Sequence, residues 1–375
     1  MDSIFIECFG CLKDPRVERT KKHLLLDIIV IALCGVISGS QSWEEVEDFG
    51  NIHEDWFASF LELPNGIPSH DTISRVFSAL EPNALQECSI NWLKKLKNLL
   101  PETVIPIDGK TLRRSGCKRT SQKALHVINA WSCANGISLG QLKVADKSNE
   151  ITAVPEILRQ LFIKGAIVTL DAMGCQEDTV AQICEAEANY VIALKGNQGE
   201  LHELVKDSFN MLDSGATTLL PTTAKDKVDG EHGRIDQREI QVISSDKLIN
   251  MIDKRWKNLN SIARIIYISE VEGQTTIEKR FYISSLPAEK PMNILSAIRS
   301  HWQIENCLHW SLDVTFREDN CRIRDENAAL NMSWLRKFAL GLLKNEKSFK
   351  RAGIRRKQLK AWSSPSYLTK ILEQN

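Results

Sequence analysis

Asp108, Asp171 and Glu305 are the residues of this 375-residue chain whose settings best suit chemistry. Asp108 closes the apolar run Val104-Ile105-Pro106-Ile107, Asp171 closes Ala166-Ile167-Val168-Thr169-Leu170, and Glu305 lies in a helical pattern over 298–312. Two carboxylates at strand ends and a third on a helix, far apart in sequence, can converge on a pair of divalent cations. Mg²⁺ and Mn²⁺ are hard ions that prefer carboxylate oxygen, and Mg²⁺ keeps positions for water and phosphate. Two such ions about 3.5–4 Å apart can activate a water or a 3′-hydroxyl and stabilise the leaving oxygen of an in-line displacement. Asp108 would bridge both ions, Asp171 would hold one and Glu305 the other. Each acid alone better suits a structural role, as a turn cap or a solvated helix residue. Their order along the strand succession is what favours a site.

The neighbours of Glu305 extend this reading. His301, Glu305 and His309 are spaced i, i+4, i+8 and form one stripe of a helix, with Trp302 and Trp310 on an adjacent face. The two histidines lie about 12 Å apart by helical rise, too far to share one ion, so they are expected to donate to phosphate or to the carboxylates. The tryptophans suit either a core or a stacking surface for an unpaired base. Lys195, Asn197 and Gln198 follow the last core strand, and Lys147-Ser148-Asn149-Glu150 follows the third; both clusters suit surface turns or phosphate oxygens. Lys110 and Arg113, just beyond Asp108, and His232 and Arg234, in a polar loop near Arg238, join the expected DNA contacts.

The elements needed to position these groups are legible in the periodicity. Residues 1–98 read as all-helical: a buried helix over 24–38, then a capping box at Ser42-Trp43-Glu44-Glu45. After Pro64-Asn65-Gly66-Ile67-Pro68 an amphipathic helix starts, with Ser69, His70, Thr72 and Arg75 near its N-terminus. That resembles the second helix of a helix-turn-helix, and equally any capped amphipathic helix. Strand-like runs follow at 104–108, 124–131, 137–144, 166–171 and 190–195, with helices at 153–164 and 179–188. Three strands, helix, strand, helix, strand is the succession of an RNase H-like core. Pro106 argues against a central place for the first strand, because it cannot donate to a ladder. A second strand-rich region, about 225–288, interrupts the core before Glu305. The expected organisation is therefore α/β: a helical domain over 1–98, a catalytic domain over 99–335 with a β insertion, and a basic helical segment over 336–375.

Composition bounds the partners. With 43% hydrophobic and 26% charged residues the chain is an ordinary globular one, and the net charge of zero excludes a uniformly basic protein. The charge is uneven, however: between residues 336 and 360 lie ten Lys or Arg against Glu346 alone, 10 − 1 = +9, with Arg355 and Arg356 near its C-terminal end. Such a block favours phosphate contact. Ten scattered cysteines and no recognisable leader suit reduced thiols in a cytoplasm, and the run at 24–38 is too short to span a bilayer. Cys8 and Cys11 form one CxxC without a second pair at finger-like spacing.

The chain resembles the H-repeat-associated, Rhs-linked insertion-sequence transposases of the DDE type. The likeness rests on Gly66-Ile67-Pro68-Ser69-His70-Asp71-Thr72, Ile107-Asp108-Gly109-Lys110-Thr111-Leu112-Arg113, Lys147-Ser148-Asn149-Glu150-Ile151, Thr169-Leu170-Asp171-Ala172-Met173-Gly174-Cys175-Gln176, Leu194-Lys195-Gly196-Asn197-Gln198 and His301-Trp302-Gln303-Ile304-Glu305-Asn306 with His309-Trp310. The resemblance implies an RNase H-like catalytic domain behind a helical associated domain, two Mg²⁺ or Mn²⁺ ions on Asp108, Asp171 and Glu305, and cut-and-paste chemistry on inverted repeats. Double-stranded DNA, as element ends and target, and a second copy of the chain on that DNA are the implied partners. Related signatures carry Tyr and Arg seven and four residues before the Glu and Lys seven after it; here those positions are Ile298, His301 and Leu312. A DNA-binding protein that has lost catalysis, and a nuclease that cuts without joining, are the alternatives.

Overall fold

The structure is a computed structural model describing residues 3–96, 104–145, 149–217, 219–231, 234–248, 251 and 253–373. Its N-terminal part is helical: α1 (Ser3–Phe9), α2 (Leu25–Ile37), α3 (Trp43–Ile52), α4 (Glu54–Ala58), α5 (His70–Ala79) and α6 (Pro82–Leu96). The apolar run forms α2, which is buried from Asp27 to Ile37, as a helix apolar all round must be. Asp27 accepts the Leu63 amide at 3.1 Å, and burial pushes its carboxyl above the usual range. The capping box holds α3: Ser42 Oγ accepts from the Glu45 amide at 3.3 Å, and Glu45 reaches back to the Gln41 amide at 2.8 Å. Among the described residues no helix is long and apolar enough to cross a membrane.

The period then changes. β1 (Val104–Leu112), β2 (Leu125–Ser132) and β3 (Ile137–Lys143) form an antiparallel meander. After α7 (Glu150–Gln160), β4 (Ile167–Leu170) pairs parallel to β1; after α8 (Glu177–Glu185), β5 (Asn189–Leu194) pairs parallel to β4. The strand succession matches the sequence pattern, with one difference that matters. Asp108 does not end β1 but lies inside it, because the strand runs on to Leu112, paired with β2 through Leu112↔Leu125. β1 is central despite Pro106, since the β2 ladder begins only at Ile107 and Pro106 is registered with Thr169 of β4.

Beyond α9 (Gly199–Asp213) the second strand region does not form a separate layer. It comprises β6 (Thr222–Lys225), β7 (Asp229–Glu231), β8 (Arg234–Ser244), β9 (Ser261–Val271) and β10 (Gln274–Ser284). β10 pairs antiparallel to β5, so one ten-stranded sheet runs β3-β2-β1-β4-β5-β10-β9-β8-β6, with β7 also on β8. A buried cation ties it to α9: Arg264 donates to both Asp213 carboxylate oxygens at 2.8 and 2.6 Å and lies over the Phe209 ring.

The chain closes with α10 (Pro291–Gln303), α11 (Glu326–Asn345), α12 (Ile354–Ser363) and α13 (Pro365–Glu373). α11 runs through residues 335 and 336, where the sequence pattern divides catalytic region from tail. It is buried from Ala328 to Leu343 and shares one apolar core with α2, α3, α5 and α13. Asn331 in its middle donates to the Phe77 and Leu80 carbonyls, satisfying the end of α5. Alternation along β1 then sorts the sheet faces: Ile105 and Ile107 pack with α7 and α8, while Val104 packs with α10 and Leu112 with α11.

Candidate active site at Asp108

By the same alternation, Asp108 and Lys110 share the face of β1 that meets α10 and the segment after it. That segment is not the continuous α-helix expected over 298–312. After Gln303 the chain winds as π-helix over Ile304–His309 and Ser311–Thr315. The sequence explains this. Ile304, Leu308, Leu312 and Phe316 are buried in one core at a spacing of four, and on an α-helix a four-residue repeat drifts about 40° per step. Wider winding keeps all four on one face and, with them, the polar series His301, Glu305, His309 and Asp313 one residue apart from it. Single π turns of this kind are frequent at functional sites.

The polar series meets the strands in order. His301 Nδ1 is 3.0 Å from Thr169 Oγ1 on β4, His309 Nδ1 is 3.6 Å from Asp108 Oδ2 on β1, and Asp313 Oδ1 accepts from Lys110 Nζ at 2.5 Å. Glu305, between the histidines, is exposed. Burial pushes the Asp108 carboxyl up to about 7, helped by the charge of Glu305 and then by those of Asp171 and Glu150, against one backbone hydrogen bond at Gly109. Asp108 therefore lies within electrostatic reach of Glu305 and Asp171, and of Glu150, which rests against Gly109 on the opposite face of β1. Burial also keeps both imidazoles neutral: His309 is pushed down to about 3, further by the Lys110 and Lys337 charges, and His301 is lowered although Asp171 opposes the shift.

Asp171 follows β4 and caps the next turn, its Oδ1 accepting from the Met173 and Gly174 amides at 3.0 and 3.2 Å. The turn-cap role foreseen for it is real and fixes the side chain without using Oδ2. The loop after β5 is tied to the same turn: Asn197 donates to the Ala172 carbonyl at 2.7 Å and Gln198 to the Cys175 carbonyl at 2.8 Å. These amides hold the turn rather than reach for phosphate, although Asn197, like Lys195, is exposed.

Among the described residues no three His, Cys, Asp or Glu side chains already converge as the ligands of one cation. The donor chemistry nevertheless fits a hard divalent ion. Asp108, Asp171 and Glu305 offer carboxylate oxygen, the nearest lysine, Lys110, is committed to Asp313, and buried His309 Nε2 has no partner among the described residues. Asp108, Asp171 and Glu305 would hold it.

The remaining expected contacts divide. Lys110 is buried between Asp313 and Glu318, so it cannot meet a phosphate. Arg113 is 75% exposed, 3.3 Å from Asp319. Arg234 is placed in β8 opposite Val271, and His232, like Gly233, Lys147 and Ser148, lies outside the described residues. Trp302 and Trp310 are 47% and 58% exposed, which excludes a core role, and Arg280 lies over the Trp302 ring. Ser69 caps α5 through the Thr72 amide. His70, however, gives its amide and its ring to Glu47, 2.8 and 2.5 Å away, and the Arg75 guanidinium turns back to the Asp71 carbonyl. Acidic Glu44, Glu47 and Asp71 surround this helix start, a poor electrostatic match for a DNA groove.

The basic block is likewise split. Arg336 and Lys337 are fully buried in α11, and buried Lys357 donates to the Leu343 and Glu346 carbonyls at the end of that helix. Arg355 and Arg356 remain exposed, with Lys347, Lys350, Arg351 and Lys360. At the other end of the chain Cys11 Sγ lies 4.0 Å from Cys88 Sγ, and Cys8 is a free buried thiol.

Residues 6–93 match the family described as DDE_Tnp_1-associated, and residues 100–342 the family described as Transposase DDE domain. The H repeat-associated putative transposase YhhI of Escherichia coli (strain K12) is 40% identical over 374 residues, 98% of this chain and 97% of that protein. The putative transposase YncI of Escherichia coli O157:H7 is 36% identical over 372 residues, 98% of this chain and 94% of its own. A piggyBac transposase synaptic complex with hairpin DNA aligns over 98% of this chain and 77% of that one, at 10% identity and TM-score 0.42, a likeness too slight to carry an argument. With nearly its whole length matched to such relatives and its two domain signatures in order, the chain belongs to the family of DDE transposases.

Proposed function

We propose that this protein cleaves DNA at the inverted repeats of an insertion sequence and transfers the cut strands to a target, with Asp108, Asp171 and Glu305 as the ligands of two Mg²⁺ or Mn²⁺ ions. The observation that supports it best is that the charges of Glu305 and Asp171, from two distant segments, both bear on a half-buried Asp108. Strand order β3-β2-β1-β4-β5, with β2 and β3 antiparallel and β4 and β5 parallel, supports an RNase H-like core over 99–335, extended by the inserted strands, behind a helical associated domain over 1–98.

When bound, such ions polarise the scissile phosphate and lower the barrier to attack by water or a 3′-hydroxyl. The chain's own part is to hold and shield. Asp171 is fixed by two backbone amides, His309 presents a neutral ring to Asp108, and the π turns keep Glu305 in line with both. Exposed Lys195, Arg113, Arg355 and Arg356 are the proposed phosphate contacts, while Trp302 and Trp310 offer exposed rings for an unpaired base. Two ends must be held together during transfer, so the working form is proposed to be a dimer on DNA.

Purified full-length protein incubated with inverted-repeat DNA and Mg²⁺ or Mn²⁺ tests the reading. Metal-dependent cleavage and joined products, both abolished by Asp171→Asn, are expected. Binding without cleavage would overturn it in favour of a DNA-binding protein, and cleavage that never yields joined strands would leave a nuclease.

A further inference from the structure

The strand that carries Asp108 ends in a loop of one charge sign. Residues 113–124, between β1 and β2, hold five Lys or Arg and no Asp or Glu. Arg113, Arg114, Arg119 and Lys123 are exposed there. The chain that leaves the π turns adds to them, with Arg317, Arg322 and Arg324 also exposed. These two stretches are built together although Gln122 and Arg324 are 202 residues apart: Gln122 Nε2 donates to the Arg324 carbonyl at 2.7 Å. Arg113 Nε lies 3.3 Å from Asp319 Oδ2, and Ile323 packs on the cluster of Leu112, Leu125, Ala329 and Leu330 that joins the hairpin to α11. The loop is closed from within as well. The Cys117 amide donates to the Gln122 carbonyl at 2.9 Å, while Ser115 Oγ donates to the Leu112 carbonyl and accepts from the Leu125 amide, both at 2.7 Å.

A solvated surface ordinarily mixes charges of both signs, and here the nearby acids are committed elsewhere. Glu318 is buried, Asp325 caps α11 through the Ala328 amide, and Glu326 meets Lys143 at 2.7 Å. Of the seven exposed cations, Arg113 alone forms an ion pair among the described residues. Holding like charges side by side on a closed loop costs repulsion, which a bound polyanion relieves. Position says which polyanion. Leu112 and Leu125 lie on the face of the sheet that carries Asp108 and meets α11. From Asp108 to Leu112 the strand advances about 13 Å, on the order of four base pairs of duplex rise.

We propose that the 113–124 loop and the 317–324 segment form one basic platform for the phosphate backbone of the donor duplex, the DNA that carries the scissile bond, a few base pairs from Asp108. This rests on the proposed DNA-cleaving function. It gives Arg113 six companions, and it makes the contact one of positioning, because phosphate contacts carry no base sequence.

The test is binding of the full-length protein, in chelator, to a duplex of inverted repeat plus flank and to an unrelated duplex of equal length, at several salt concentrations. The triple variant Arg119→Gln, Lys123→Gln, Arg322→Gln is expected to flatten the slope of log affinity against log salt by about 3, equally on both duplexes. Its melting temperature should be unchanged or raised, since like charges are removed. The control triple Lys164→Gln, Lys206→Gln, Lys257→Gln, on the α7–α9 side of the sheet, should keep the parent's slope. Equal flattening in the control would mean that net charge alone matters, and would overturn the proposal. Donor binding at the parent's slope beside lost strand joining would overturn it in favour of target DNA. The parent's slope in the patch variant, with cleavage still abolished by Asp171→Asn, would overturn it and leave the cleavage reading standing. Full cleavage by Asp171→Asn would remove that reading instead.

Discussion

His309 Nδ1 stands 3.6 Å from Asp108 Oδ2, joining the π-helical turns to the central strand at the residue on which the site depends. Because burial keeps this imidazole neutral, it packs beside the carboxylate without adding a charge that would compete with a divalent ion. Replacing His309 by Gln, which keeps a polar group of similar size, is expected to lower cleavage about 10–100-fold with the protein still folded. Cleavage rates paired with circular dichroism check this, and a full-rate variant would show that the contact is incidental.

Asp108 itself predicts an unusual pH dependence in the metal-free protein. Its folded-state value is raised from 3.8 to about 7, so the folded state holds this proton more tightly than the unfolded chain. The stabilisation is fully present below about pH 4 and is lost as pH rises through about 7. Asp108→Asn escapes that loss. It is expected to be more stable than the parent in chelator at pH 8, on the order of 2–4 kcal/mol, with the gain vanishing near pH 4. Denaturant melts at the two pH values measure it. Adding Mn²⁺ should raise the parent's melting temperature and leave the variant's unmoved.

Glu346 carries the opposite sign. Burial alone would raise its carboxyl, but hydrogen bonds from Ser348, the Tyr367 hydroxyl and the Phe349 amide hold it down to about 2. A depressed value contributes stability that is present above about pH 4.5 and lost as pH falls toward 2. This contact pins α13 to the end of α11, with Lys357 Nζ 3.6 Å away. Glu346→Gln is therefore expected to cost about 2–3 kcal/mol at pH 7 and progressively less in acid. Parallel acid titrations of the two proteins would show converging curves; a constant offset would contradict this account.

Much of this was legible in the sequence, because strands and helices announce themselves by period and the three acids close or sit on such runs. Asp108 was misplaced by four residues of strand, since Gly109-Lys110-Thr111 is polar and reads as a turn although His126 and Val127 pair with it across β2. The π turns had a signal, the four-residue spacing of Ile304, Leu308, Leu312 and Phe316, which a search for the 3.6 period passes over. Glu150 and His126 gave none: they are 24 residues apart and meet only because β2 and α7 flank the same glycine. Charge was the least transferable inference, because a lysine counted in sequence carries no label for whether tertiary packing buries it.

That distinction yields the sharpest prediction for the basic segment. Arg355 and Arg356 are exposed, so replacing both by Ala should weaken DNA binding and flatten its dependence on salt. Each lost phosphate contact lowers the slope of log affinity against log salt by about 0.9, so the pair is expected to change it by about 2. Lys337 was counted in the same block but is wholly buried, donating to Gln141 Oε1 at 2.6 Å and Ser333 Oγ at 2.8 Å, with the Glu318 charge beside it. Lys337→Met leaves buried Glu318, among the described residues, with Lys110 at 3.9 Å as its one ion-pair partner, and should cost about 3–5 kcal/mol of stability. Its salt slope should match the parent's wherever it remains folded. Binding isotherms at several salt concentrations, with denaturant melts of both variants, separate the two effects; a changed slope in Lys337→Met would mean that α11 opens to present that lysine to DNA.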